Sequence, residues 1–181
     1  MTLSATAAPG ATAPAAGDTI AIVETNHGRI VLKFFPEVAP GHVANFTSLA
    51  AEGYYDGVRF HRVIPGFMIQ GGDPNSRDMP RGMHGTGGPE KKLNAEFNHI
   101  PHTPGILSMA RTSDPNSAGS QFFIMHNRHV DSLDGQYTVF GQVIEGMDVV
   151  DAIANLPRDG RDNPNEDNPA IMESVTVGTW E

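Results

Sequence analysis

Twenty glycines and fourteen prolines punctuate this 181-residue chain. Together they make 34 residues, about 19% against a usual ~12%. Glycine weakens a helix interior and proline breaks it. A coiled coil or long helical bundle is therefore excluded, and with no Gly-X-Y period so is collagen. Hydrophobic residues still make up 39% of the chain, enough to bury a core. What fits is a domain of many short elements joined by tight turns, mainly β.

Hydrophobic patterning places those elements. TIAIVET (Thr19–Thr25) and RIVLKFF (Arg29–Phe35) flank Asn26-His27-Gly28 and predict a hairpin. Apolar residues lie on both faces of the second run, so that part of the sheet is expected to be covered on both sides. A helix is predicted over Pro40–Glu52. Pro40 suits its first turn, Val43, Phe46, Leu49 and Ala50 form its apolar stripe, and Gly53 can take the left-handed end position. Further strands are expected at Val58–Val63, Phe67–Gln70, Ile106–Ala110, Gln121–Met125, Thr138–Val143 and Ile171–Thr179. A second helix is expected at Met147–Asn155, stopped by Pro157. Gly71–Thr103 reads as one long loop, functional or packed on itself. Residues 1–17, rich in Ala, Thr and Pro, read as a flexible tail, and residues 18–181 as one domain. The fold class expected is a closed eight-stranded antiparallel β-barrel capped by two α-helices, since closure removes exposed strand edges.

Composition also bounds function. The net charge is −9, and the acidity is local: Glu145–Glu181 holds nine acids and two bases. Nucleic acid and anionic membranes are poor partners for such a chain. This acidic segment is expected to lie outside the substrate site, as solvated surface. The chain has no cysteine, which removes disulfides and thiolate chemistry. No apolar run reaches ~18 residues and the N-terminus has no secretory h-region, so a cytoplasmic location is expected. No zincin, P-loop, EF-hand or nucleophile-elbow motif occurs. Gly85-Thr86-Gly87-Gly88 lacks a following Lys and reads as a turn. The histidine pairs His99/His102 and His126/His129 have a spacing that can serve a metal on a helix. They fall in loops or strand ends and read as surface histidines, with no metal site.

Four motifs then resemble one family in order along the chain. They are FHRVIPGFMIQGGD (Phe60–Asp73), GILSMAR (Gly105–Arg111), GSQFFI (Gly119–Ile124) and LDGQYTVFGQVIEGMDVVD (Leu133–Asp151). With Ala44–Phe46 in the first helix, they are similar to the cyclophilin type of peptidyl-prolyl cis/trans isomerases, in its bacterial cytoplasmic form, over about residues 19–178. The resemblance implies the eight-stranded barrel with two helices. It implies an enzyme that turns X-Pro bonds without cofactor or metal and so assists folding. Proline-containing peptides and unfolded or partly folded proteins would be its partners, and the protein a monomer. By motif, Arg62, Phe67 and Gln70 would be catalytic. Met68, Ala110, Arg111, Gln121, Phe123, Leu133 and Tyr137 would bind substrate. Three positions depart from the commonest eukaryotic pattern: Arg111 where Asn is usual, Ser132 where Trp is usual, and Tyr137 where His is usual. The missing indole at Ser132 implies weakened binding of cyclosporin. A module that only holds proline segments is the alternative to turnover.

Overall fold

The computed structural model describes residues 13–181. Most of the expected tail, residues 1–12, lies outside them. Eight strands form one antiparallel sheet: β1 Thr19–Thr25, β2 Gly28–Phe34, β3 Phe60–Ile64, β4 Met68–Gly71, β5 Ile106–Met109, β6 Phe122–Met125, β7 Val139–Glu145 and β8 Met172–Thr179. Three helices accompany it: α1 Pro40–Ala51, α2 Asn75–Asp78 and α3 Met147–Ala154. The one-turn α2 was not expected. It sits in the long loop after β4, beside a 3₁₀ turn at Arg81–Met83.

The ladder runs β3-β4-β6-β5-β7-β2-β1-β8. It curls, and full closure, expected from the sequence, is not what it shows. The edges β3 and β8 share no ladder and are tied at one end only. There the Gly57 and Phe60 N–H groups donate to the Met172 and Ala170 carbonyls, and the Met172 N–H donates to Val58. This also explains why β3 begins at Phe60 rather than Val58. Residues 57–59 leave the β4 register to meet β8, and the β3–β4 pairing is shifted between Phe60 and Arg62.

Period-2 alternation divides most of the apolar residues between an inner and an outer core, and a third, small cluster joins Ile20, Val31 and Ile144. On β6, Phe122 and Ile124 point into the curl while Phe123 and Met125 point out. Leu107 and Met109 of β5 do the first, and Ile106 the second. Inside, α1 and α3 plug the space. Phe46 of α1 meets Phe34, Tyr55, Phe122 and Phe140 at ring separations of 4.9–5.8 Å. Outside, Phe35, Met68, Ile106, Phe123, Met125 and Val139 form a smaller cluster. The outer cluster is covered by partly buried residues of the loops around it, among them Phe67 before β4, Ile100 before β5, and Val130, Leu133 and Tyr137 between β6 and β7.

Candidate active site

Strand register builds one wall of a cavity on that outer face. Arg62 on β3 stands opposite Gln70 on β4, Gln70 opposite Phe123 on β6, and Phe123 opposite Ser108 on β5. Four strands thus present a single row. The polar half is hydrogen-bonded: an Arg62 N–H reaches Gln70 Oε1 at 3.5 Å, and Gln70 Nε2 donates to Gln121 Oε1 at 3.1 Å. Gln121 Nε2 in turn donates to the Gly85 and Gly87 carbonyls, both at 2.9 Å. Arg62 is exposed, so its charge stays available to a ligand.

The turn before β4 aims the next residues. Pro65-Gly66 occupies the centre of a turn closed by the Phe67 N–H donating to the Ile64 carbonyl at 3.0 Å. Gly66 has φ 78°, the left-handed conformation that a type II turn requires at that position. His126 clamps this turn. Its Nδ1 accepts the Gly66 N–H at 2.9 Å, so its Nε2 carries the proton shared with Asp151 Oδ1 at 2.7 Å. The His126 N–H also donates to the Phe67 carbonyl. A second glycine is required just past Gln70. At Gly72 (φ 93°) an added Cβ would collide with the Ser120 carbonyl, pushing the strand carrying Gln70 from the segment carrying Gln121.

Phe123 forms the floor. It is 4% exposed, with His102 stacked behind it at 6.0 Å and Tyr137 edge-on at 5.8 Å. His102 is fully buried between Asp134 Oδ1 (3.0 Å) and Ser108 Oγ (2.9 Å). Burial lowers its pKa below the ordinary histidine value despite the Asp134 carboxylate. The reading of His102 and His126 as surface histidines is therefore corrected: both are buried, and each orients a neighbouring piece of this wall. Among the described residues no group of three or more His, Asp or Glu side chains is placed to hold a metal.

The cavity so enclosed measures about 410 Å³, a size suited to a small ligand or a few peptide residues. Arg62, Phe67, Met68, Gln70, Ala110, Arg111, Phe123, Leu133 and Tyr137 all line it. Gln121 lines the adjoining depression, which shares Gln70, Ala110 and Arg111. All ten residues singled out in the sequence thus come together. Arg111 lies 4.5 Å over the Tyr137 ring and donates to the Gln136 and Thr112 carbonyls. Ser132, in the 3₁₀ turn ending at Leu133, is exposed.

Sequence reading missed a second wall, which adjoins β3: His61, Arg81, His84, Asp159, Arg161 and Asn163. Three of these belong to the acidic C-terminal segment, which was expected to lie outside the site and does not. Arg81 donates to Asp159 Oδ2 at 2.8 Å and to the Pro164 and Asn163 carbonyls. The Arg81 hydrogen bond, with help from two backbone N–H groups, holds the Asp159 carboxyl at about 2. His61 sits at the seam between the walls, 6% exposed. Burial pushes its pKa down to about 4, against the pull of Asp73, and its Nδ1 has no partner among the described residues.

Comparisons with known proteins agree with one another. The family model described as "Cyclophilin type peptidyl-prolyl cis-trans isomerase/CLD" matches residues 20–177. A peptidyl-prolyl cis-trans isomerase of Synechococcus elongatus is 49% identical over 142 residues, covering 77% of this chain and 92% of its own. Peptidyl-prolyl cis-trans isomerase B of Escherichia coli is 44% identical over 163 residues, covering 84% and 96%. Among solved structures, a cyclophilin-type isomerase of Cryptosporidium parvum superposes with TM-score 0.80 at 31% identity, covering 90% of this chain and 98% of that one. The same protein solved in the presence of the dipeptide Ala-Pro gives TM-score 0.79 at 32% identity, covering 88% and 98%.

Proposed function

This chain belongs to the cyclophilin-type peptidyl-prolyl cis-trans isomerases, and from that membership we propose which of its residues turn the X-Pro bond and how. Its activity is rotation about peptidyl-prolyl bonds. The barrier to be lowered comes from amide resonance and is roughly 18–20 kcal/mol. In the twisted transition state the C–N double-bond character is lost and the nitrogen regains its lone pair. No bond to a nucleophile forms and no net proton moves. A dry slot for the pyrrolidine ring, anchors for the flanking backbone and a donor at the twisting amide are sufficient.

The observation that carries the assignment is the juxtaposition of an apolar floor with a polar, exposed cation in one cavity. Phe67, Met68, Phe123 and Leu133 are the slot. Gln70 and Gln121, already bonded to each other, and the backbone around Ala110 and Arg111 are the anchors. Tyr137 closes one side with its ring. Arg62 donates to the prolyl nitrogen as it pyramidalises, or to the carbonyl as it swings, stabilising the transition state more than the ground state. Proline-containing segments of peptides and of partly folded proteins are the substrates, in keeping with the neighbour studied with Ala-Pro. A monomeric state and a cytoplasmic location complete the proposal, tested by light scattering and cell fractionation.

The decisive experiment is a proline-isomerisation assay on a short X-Pro peptide. Wild type is expected to accelerate it well above the spontaneous rate, which takes tens to hundreds of seconds. One charge-assisted hydrogen bond is worth roughly 1.5–3 kcal/mol. Arg62→Ala is therefore expected to cost about 10- to 150-fold in kcat/KM, with an unchanged thermal midpoint because the side chain is exposed. Equal rates in both proteins would remove Arg62 from its role. Peptide binding without acceleration by wild type would leave a binding module only.

A further inference from the structure

The charge inside the cavity is opposite to that of the chain. Four arginines line it, Arg62, Arg81, Arg111 and Arg161, against one acidic residue, Asp159. Arg81 is neutralised by Asp159 and by Glu166, at 2.8 and 3.1 Å. Arg62, Arg111 and Arg161 have no carboxylate within salt-bridge distance among the described residues, while Arg29, Arg59 and Arg158 elsewhere do. Arg111 is spent on backbone carbonyls and the Tyr137 ring. Arg161 differs: its guanidinium is exposed, and no hydrogen bond or ion pair to it is formed within the described residues.

Its backbone, by contrast, is held firmly. The Arg161 N–H donates to Asp159 Oδ1 at 2.8 Å, and the Asn163 N–H donates to the same oxygen at 3.1 Å. Asp162 adopts φ 64°, turning the chain so that its carbonyl accepts the Val63 N–H at 2.8 Å. Val63 is the residue next to Arg62 on β3. Asn163 Nδ2 also meets His84 Nδ1 at 3.0 Å. The Arg161 guanidinium lies over Gly82, 4.0 Å from where a Cβ would stand there. A charged head on a fixed base, left unpaired at the rim of a substrate cavity, is placed to meet an opposite charge on the substrate.

We propose that Arg161 makes this isomerase selective for segments with an acidic side chain flanking the proline, which the guanidinium contacts from the loop wall while the ring occupies the slot. The inference rests on the slot assignment above. Attraction of this kind acts on capture, and exposed ion pairs contribute only modestly. Attraction of Glu and repulsion of Lys together are expected to give a kcat/KM ratio of about fivefold or more. The ratio should shrink as salt is raised to 1 M, where the screening length falls to about 3 Å.

The test uses peptides of one length that differ only in the flanking residue, Glu, Ala or Lys, placed before the proline in one series and after it in another. Wild type is expected to favour Glu over Lys in at least one series. Arg161→Gln should bring that ratio close to one, and Arg161→Glu should invert it. Arg29→Gln, the same charge change on β2, should leave it intact. A wild-type ratio near one in both series overturns the proposal, as does a ratio that both Arg161 variants preserve. Failure to accelerate the Ala peptide would instead strike the slot assignment. In that event dissociation constants for the same peptides, wild type against Arg161→Gln, decide the role of Arg161 by the same ratio.

Discussion

The two walls of one cavity are held in different ways. The strand wall, from Arg62 through Gln70 to Phe123, takes its geometry from backbone ladders and a buried apolar cluster. The loop wall, Arg81 with Asp159–Asn163, takes its geometry from side chains bonded to backbone across the chain, as Arg81 is to Pro164 and Asn163. Packing is cooperative and expensive to disturb. Exposed polar clasps are individually weak and yield locally. A rigid floor beside a clasped rim is a reasonable division for an enzyme that must grip one ring and pass many different chains.

Removing Phe123 is expected to produce the largest effect. It is almost fully buried, between His102 and Tyr137. Truncating a buried Phe costs about 3–5 kcal/mol. For a domain of this length that lowers the thermal midpoint by roughly 10 °C. Phe123→Ala should show this by calorimetry together with loss of isomerisation, and Phe123→Leu should recover most of the stability. An unchanged midpoint would mean that packing does not hold the strand wall.

The same contrast explains what could be read from the sequence. Short apolar runs bounded by turn residues located all eight strands, including β5 and β6, which are buried at every position and show no alternation in exposure. The Pro65-Gly66 turn and the slot residues were legible because they are local or carried by motif. Boundaries slipped where partners are distant: β3 starts late because residues 57–59 bond to β8, more than 110 residues away in sequence. The loop wall was invisible for that reason. Nothing local in RDGRDNP announces that Arg81, 78 residues before Asp159, will bind it. The acidic composition pointed the other way, since it counted charges without their partners. His102 and His126 were misread similarly: a histidine's burial depends on carboxylates and strand ends that its neighbours do not reveal.

His61 lies where the walls meet and gives the next effect. Burial is the main cause of its pKa near 4, below the ordinary histidine value of 6.5. The unfolded chain takes up the proton first. Stability from this group is therefore complete above pH 6.5, declines as pH falls toward 4, and is flat below that. The interval corresponds to about 3 kcal/mol. Asp73, His84 and Arg62 are the charged or titratable groups that act on it. Denaturation midpoints measured between pH 7 and pH 4 should fall in wild type and fall less in His61→Gln. Parallel curves for the two proteins would show that the seam is not where acid acts.

Asp159→Asn is the smallest perturbation and the sharpest test of the contrast. The amide oxygen still accepts the Arg161 and Asn163 N–H groups, but the charge facing Arg81 is gone. The Asp159 carboxyl is depressed to about 2 chiefly by the Arg81 hydrogen bond. Its contribution is therefore present above pH 3.8 and fades as pH drops through about 2. The side chain is 37% exposed, so solvent screening limits the contribution to about 1 kcal/mol or less. The midpoint at pH 7 is expected to drop by no more than about 3 °C. Hydrogen exchange at the Arg161 and Asn163 amides should speed up, while the strand-wall amides of Gln70 and Phe123 keep their rates. If Asp159→Asn lowers the midpoint as far as Phe123→Ala, the loop wall is part of the cooperative core. If no amide in 159–163 changes its exchange, the clasp is not what orders the loop, and Arg161 owes its position to something other than Asp159.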